Sequence, residues 1–198
     1  MTQQNSSSSP NNAAPSHEIA LADLAYAGAA ETDLDRVILL AESGNLAAAQ
    51  TLLGQVPLDA PLHNALGVCL LRRGQVEEAL DVFRELVLVP GGGWNRPHTP
   101  ALYKLNFATA YLLNGHFADA HVMLGDVGDE KHPSVVRLRQ AMKRWESGLT
   151  RWQWMNWRLF LKEPKDCPAM LDFPPGEFVD SHRTRQPAAV PVALRAAS

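Results

Sequence analysis

Apolar residues recur at helical spacing along the middle of the chain, and short polar or glycine-bearing breaks divide the pattern into segments. From Leu62 to Pro90 (LHNALGVCLLRRGQVEEALDVFRELVLVP) the spacing predicts two short amphipathic helices joined by a tight turn at Gly74. Ala65, Gly67 and Ala79 are small enough to let two helices approach closely, and Leu66, Leu70, Leu80 and Phe83 supply the bulk between them. Gly67 is therefore expected to face Ala79 where the helices cross.

Two further stretches carry weaker versions of this arrangement. In TDLDRVILLAESGNLAAAQTLLGQVP, Thr32 or Asp33 can cap a helix that Gly44 ends, and Ala49 and Leu53 follow Gly44 at the offsets that Ala79 and Phe83 hold after Gly74. In ALYKLNFATAYLLNGHFADAHVMLGDV, the equivalent places fall on Tyr111, Gly115, Ala120 and Leu124. The best of the three resembles the tetratricopeptide repeat, whose pattern W-x2-L-G-x2-Y…A-x3-F…P falls on His63, Leu66, Gly67, Leu70, Ala79, Phe83 and Pro90. Leu-Gly, the Ala and the Phe are kept, while His63 and Leu70 depart from it. In the first copy Arg36 and Val37 replace Leu-Gly, and in the third Phe107 and Ala108 do. Gly44 to Gly74 is 30 residues and Gly74 to Gly115 is 41, against about 34 in the family. The surplus is PGGGWNRPH, whose three glycines must leave the helices as a loop carrying Trp94 and His98.

The resemblance implies an all-α protein: a short stack of about three tetratricopeptide-like helix-turn-helix pairs, with a C-terminal capping helix and a Trp-rich helix. Residues 1–16 (MTQQNSSSSPNNAAPS) are polar and low in complexity and read as a disordered tail. Residues 17–149 form the repeat domain, opening with a lead-in helix after Ser16 and closing with PSVVRLRQAMKRWESGL as cap. That cap carries Val135, Leu138, Met142, Trp145 and Leu149 on one stripe. Residues 150–163 are the Trp-rich helix, and residues 164–198 a Pro-rich extended or disordered tail that can dock locally through Met170, Leu171, Phe173 and Phe178.

Composition narrows the class. The chain is 46% hydrophobic and 20% charged with a net charge of −3, which argues for a soluble protein and gives no case for nucleic acid. There is no secretory signal and no apolar run of spanning length, so cytoplasmic placement is expected. Cys69 and Cys167 stand far apart, so neither a disulfide framework nor a zinc site is expected. His116 and His121 are not at the spacing that puts two metal ligands on one helix face. No phosphate loop or nucleophile elbow is present. The expectation is a protein that is not an enzyme and that uses no cofactor or metal.

A binding role is expected instead. In the repeat family the first helix of each pair lines a concave groove. The resemblance puts Ile38, Val68, Leu71, Arg72, Thr109, Leu112 and Leu113 on that side. Some family members grip a peptide carboxylate with a Lys/Asn/Arg set. Lys104 and Asn106 are present, but the first two repeats offer no matching pair. An apolar groove suits an amphipathic helix or an extended peptide. Leu71 and Leu112 are expected to contact that ligand, whether a partner's segment or the chain's own lead-in helix or tail, and to tolerate Glu without loss of fold. Trp94, Trp154 and Trp157 are candidates for a second contact. The Trp-rich helix can cap the core, meet a partner, or lie on an anionic membrane surface, since Arg151, Arg158 and Lys162 accompany its tryptophans. The function expected is a non-catalytic scaffold holding a protein or peptide. The alternative is a peripheral membrane adaptor attached through the basic Trp-rich helix.

Overall fold

A computed structural model describes residues 32–160, 163–164, 167 and 169–179. The expected N-terminal tail and lead-in helix, and the chain beyond residue 179, lie outside the described residues. Among those described, eight α-helices follow one another: α1 (Asp33–Glu42), α2 (Leu46–Leu53), α3 (Ala60–Arg72), α4 (Val76–Val87), α5 (Ala101–Leu113), α6 (Phe117–Asp126), α7 (Pro133–Gly148) and α8 (Arg151–Phe160). The described chain is all-helical apart from loops and an isolated antiparallel bridge between Leu88 and Asn95.

Helix starts follow local chemistry. The Asp59 carboxylate accepts from Leu62 N–H at 2.9 Å and Pro61 sits in the first turn of α3. The Asn45 side chain accepts from Ala48 N–H at the start of α2. The helices of the first three pairs are joined by one kind of turn. Gly44, Gly74 and Gly115 hold φ of +85°, +77° and +83°, a conformation that glycine adopts without steric cost. After each, the next N–H returns to a carbonyl in the preceding helix: Asn45 to Leu40 at 2.9 Å, Gln75 to Leu70 at 3.0 Å and His116 to Tyr111 at 2.9 Å. This satisfies carbonyls that the helix end would otherwise leave open.

Each helix packs on its successor within a pair, and the first helices also neighbour one another: α1 on α3, α3 on α5, and α5 on α7. One buried cluster joins the first pair to α3 through Val37, Ala41, Ala49, Leu53, Leu62, Ala65 and Cys69. A larger one runs from α3 to α8, with Phe83, Phe107, Phe117, Leu112 and Leu138 among its fully enclosed side chains. Gly67, expected to face Ala79, has the Phe83 ring as its nearest neighbour: a Cβ on Gly67 would stand 2.5 Å from that ring, whose carbons are the three nearest atoms. The helices can come together at this point because the far end of the Phe83 ring fills the space that a side chain on residue 67 would need.

The loop between α4 and α5 folds on itself. Val89 N–H donates to Trp94 O at 3.1 Å, and the Arg96 guanidinium donates to the carbonyls of Leu88 and Glu85, each at 2.8 Å. At the other end, α8 docks by one residue. Trp157 is buried edge-on against Trp145, with centroids 5.4 Å apart, and its Nε1 donates to Glu146 Oε1 at 3.1 Å. Trp145 in turn stacks on Phe117. Beyond α8, a Glu163 carboxylate oxygen accepts from Ala118 N–H at 2.8 Å and caps α6.

Candidate functional site

The chain's own residues 172–179 lie across the first helices of successive pairs, and this contact is the candidate site. Pro174 and Pro175 restrict the backbone before Gly176. An irregular segment laid over helices brings main-chain donors and acceptors that need partners. Polar side chains at mid-helix positions supply them. Asn106 of α5 pairs both ways with Glu177: Asn106 Nδ2 donates to Glu177 O at 2.8 Å, and Glu177 N–H donates to Asn106 Oδ1 at 2.9 Å. Asn64 of α3 donates to the same carbonyl at 3.3 Å, and its Oδ1 accepts from Asn106 Nδ2 at 2.8 Å. Both amides are 0% exposed. Arg72 Nε donates to Pro175 O at 3.4 Å, and Arg72 Nη2 donates to Gly176 O at 3.3 Å. Three consecutive carbonyls of the segment are thus received by groove side chains.

Side chains add to this main-chain register. The Arg72 guanidinium lies 4.6 Å from the Phe178 ring centroid, and that of Arg137 lies 6.0 Å from the Phe173 centroid, both within cation–π reach. Ser134 Oγ donates to the Glu177 carboxylate. Arg144 Nη2 meets Asp172 at 2.8 Å. Gly176 has φ +77°, and a Cβ there would stand 3.1 Å from Val68 Cγ2. Upstream, Trp145 Nε1 donates to Cys167 O at 2.6 Å. A cavity of about 190 Å³ remains between the helices and the segment, with Leu105, Asn106 and Thr109 on its wall.

The groove side expected from the repeat resemblance divides in two. Val68, Arg72 and Thr109 meet the segment or line the space beside it. Leu71 and Leu112 are 2% and 0% exposed within the core cluster. Leu113 is half-buried against that cluster, and Ile38 of α1 is half-buried. Leu71 and Leu112 were expected in the groove because each follows the buried aromatic place by one residue. Both are enclosed as fully as Val68, so Glu at either place would be buried without a partner, against the expectation that these positions tolerate it. Asn64 and Ser134 were not expected at all, and Asn106 was considered only as part of a carboxylate grip. A lone amide in an otherwise apolar helix face is the signal that could have found Asn64 and Asn106, because burial obliges it to find a partner; Ser134, in the first turn of α7, carries no such signal.

The three tryptophans separate. Trp157 is an inward anchor, Trp154 is 48% exposed, and Trp94 is 68% exposed with its indole over Gly92. Trp152, Met155 and Leu159 are exposed together on α8, beside exposed Arg151 and Arg158.

Burial pushes the Cys69 thiol up from 9.0 to about 11, so it stays protonated and is no nucleophile at neutral pH. Burial lowers the Arg72 pKa, while Cys69 and Glu42 act the other way. Among the described residues no three His, Cys, Asp or Glu side chains gather as a metal site would require, and no helix is long and apolar enough to cross a membrane. Comparison with protein-family models, with characterised proteins and with solved structures gives no match to the chain.

Proposed function

We propose that this protein is a non-catalytic interaction module of tetratricopeptide-like helix pairs, and that the layer of first helices holds an extended segment of a protein partner. One observation carries the reading: Asn106 and Glu177 exchange two hydrogen bonds, so a side-chain amide grips a main chain as a neighbouring strand would. Main-chain recognition gives affinity for an extended polypeptide, and the surrounding Arg72, Arg137 and Ser134 supply side-chain selection. The three glycine turns with the same returning hydrogen bond support the repeat-like architecture. The segment 172–179 then occupies the groove in place of the partner.

The test compares three full-length chains as baits: wild type, Gly176→Val to dislodge the segment, and Gly176→Val with Asn106→Ala. Proteins retained by the first variant and lost from the second support the reading. Retention that does not depend on Asn106 contradicts it.

A second reading is favoured by the exposed face of α8. Trp152, Met155 and Leu159 share one stripe with Arg151 and Arg158 alongside, an arrangement that suits an anionic lipid surface. Co-sedimentation with anionic vesicles that is lost in Trp152→Ala/Leu159→Ala would support it. Co-sedimentation unchanged by that variant would contradict it.

A further inference from the structure

We infer that residues 172–178 (DFPPGEF) are the chain's own copy of the groove's ligand. The partner then presents a segment of the same chemistry: acid, aromatic ring, two residues of restricted backbone, glycine, acid, aromatic ring. This rests on the groove reading above and deepens it.

Five positions of the segment are read, by four physical means. The Asp172 carboxylate meets Arg144 at 2.8 Å. Phe173 and Phe178 each lie beneath a guanidinium. The glycine position is the most selective. Its φ of +77° and the Val68 methyl 3.1 Å from any Cβ both act against a side chain. Glu177 is read twice, by Asn106 through its main chain and by Ser134 through its carboxylate. Pro174 and Pro175 hold the backbone for entry and reduce the entropy lost on docking.

The anchoring contacts also suit exchange. Asn64, Asn106 and Arg72 bind main-chain carbonyls through polar groups. Water can take those bonds when the segment leaves, so the cost of release falls mainly on the half-buried Phe173 and Phe178. A tethered copy acts at a local concentration of order millimolar. A partner segment must therefore exceed it in affinity or arrive when the tail is held elsewhere, and the tail sets the threshold for capture.

The experiment uses full-length chains and a fluorescein-labelled peptide of residues 170–179. Binding is read by anisotropy, with helicity checked by circular dichroism. The peptide is expected to bind the Gly176→Val chain at least tenfold more tightly than the wild type, whose groove is filled. Binding should disappear when Asn106→Ala is added to that chain, and when the peptide itself carries Gly176→Val. A second chain, Glu177→Lys/Phe178→Ala, opens the groove by changes at partly exposed tail positions and should bind the peptide likewise, so a folding defect in one variant does not decide the result. If neither opened chain binds the peptide, yet both retain proteins in an Asn106-dependent manner, the ligand chemistry inferred here is wrong while the groove reading stands. If retention is also independent of Asn106, both fall. Equal binding to wild type and opened chains would overturn the exchange.

Discussion

Asn106 on α5 and Glu177 in the C-terminal segment are 71 residues apart in sequence and are joined by two hydrogen bonds that together close a ring. A carboxamide is donor and acceptor at once, and Asn64 holds this one in orientation through a further bond of 2.8 Å. Two buried amides on neighbouring helices, each costly to leave unpaired, thus give a helical surface the hydrogen-bonding character of a strand edge. Arg72 extends that edge by two carbonyls.

The closeness of Gly67 to Phe83 gives a stability prediction. Any Cβ at residue 67 must displace a ring that is itself fully buried. Gly67→Ala should lower the thermal midpoint, at a cost of about 1–3 kcal/mol. Gly93→Ala, with nothing within 4 Å of the new Cβ, should leave it nearly unchanged. Equal midpoints for the two variants would remove Phe83 from the helix crossing.

Cys69 makes stability depend on alkaline pH. In the folded chain its pKa is raised from 9.0 to about 11 by burial, so above pH 9 the unfolded chain loses a proton that the folded chain keeps. Stability present below pH 9 should therefore be lost as pH rises toward 11, by at most about 2–3 kcal/mol. Tyr103 and Tyr111, also raised by burial, act in the same direction. Urea unfolding at pH 8 and pH 10 should show this decline, and Cys69→Ala should lessen it. At pH 8 an alkylating reagent should modify half-buried Cys167 well before Cys69.

Trp157 and Trp152 lie on one helix with opposite roles. Trp157→Ala removes an edge-on contact with Trp145 and a bond to Glu146. It should destabilise the α7–α8 end by about 3–5 kcal/mol and change tryptophan emission as Trp145 gains water. Trp152 is 67% exposed, and Trp152→Ala should shift the thermal midpoint little. Matching losses in the two variants would place α8 differently.

The helix pairs were legible because their signals are local. Leu66–Gly67 with Ala79 and Phe83, and glycine at 44, 74 and 115, specify close crossings and left-handed turns without reference to distant chain. The groove was less legible. Leu71 and Leu112 follow the pattern's buried aromatic place by one residue and are almost fully enclosed, so Leu112→Glu should unfold the protein by enclosing an unpaired charge. Asn64 and Asn106 acquire their meaning only from a segment more than 70 residues away, and Pro-interrupted sequence carries no period to forecast where it docks. Tail docking was readable as hydrophobicity at Leu171, Phe173 and Phe178 but not at Met170, which is exposed, and the register, set by Gly176 against Val68, was not readable.

The most direct measurement is hydrogen exchange at the Glu177 amide in the full-length chain, followed by NMR. That N–H donates to a fully buried carbonyl oxygen of Asn106, so it should exchange slowly in the wild type, faster by tenfold or more in Asn106→Ala, and faster again in Gly176→Val, with the amides of α3 and α5 unaffected. A Glu177 amide that exchanges in the wild type as fast as one in an unstructured peptide would contradict the account, because no main chain would then be held in the groove.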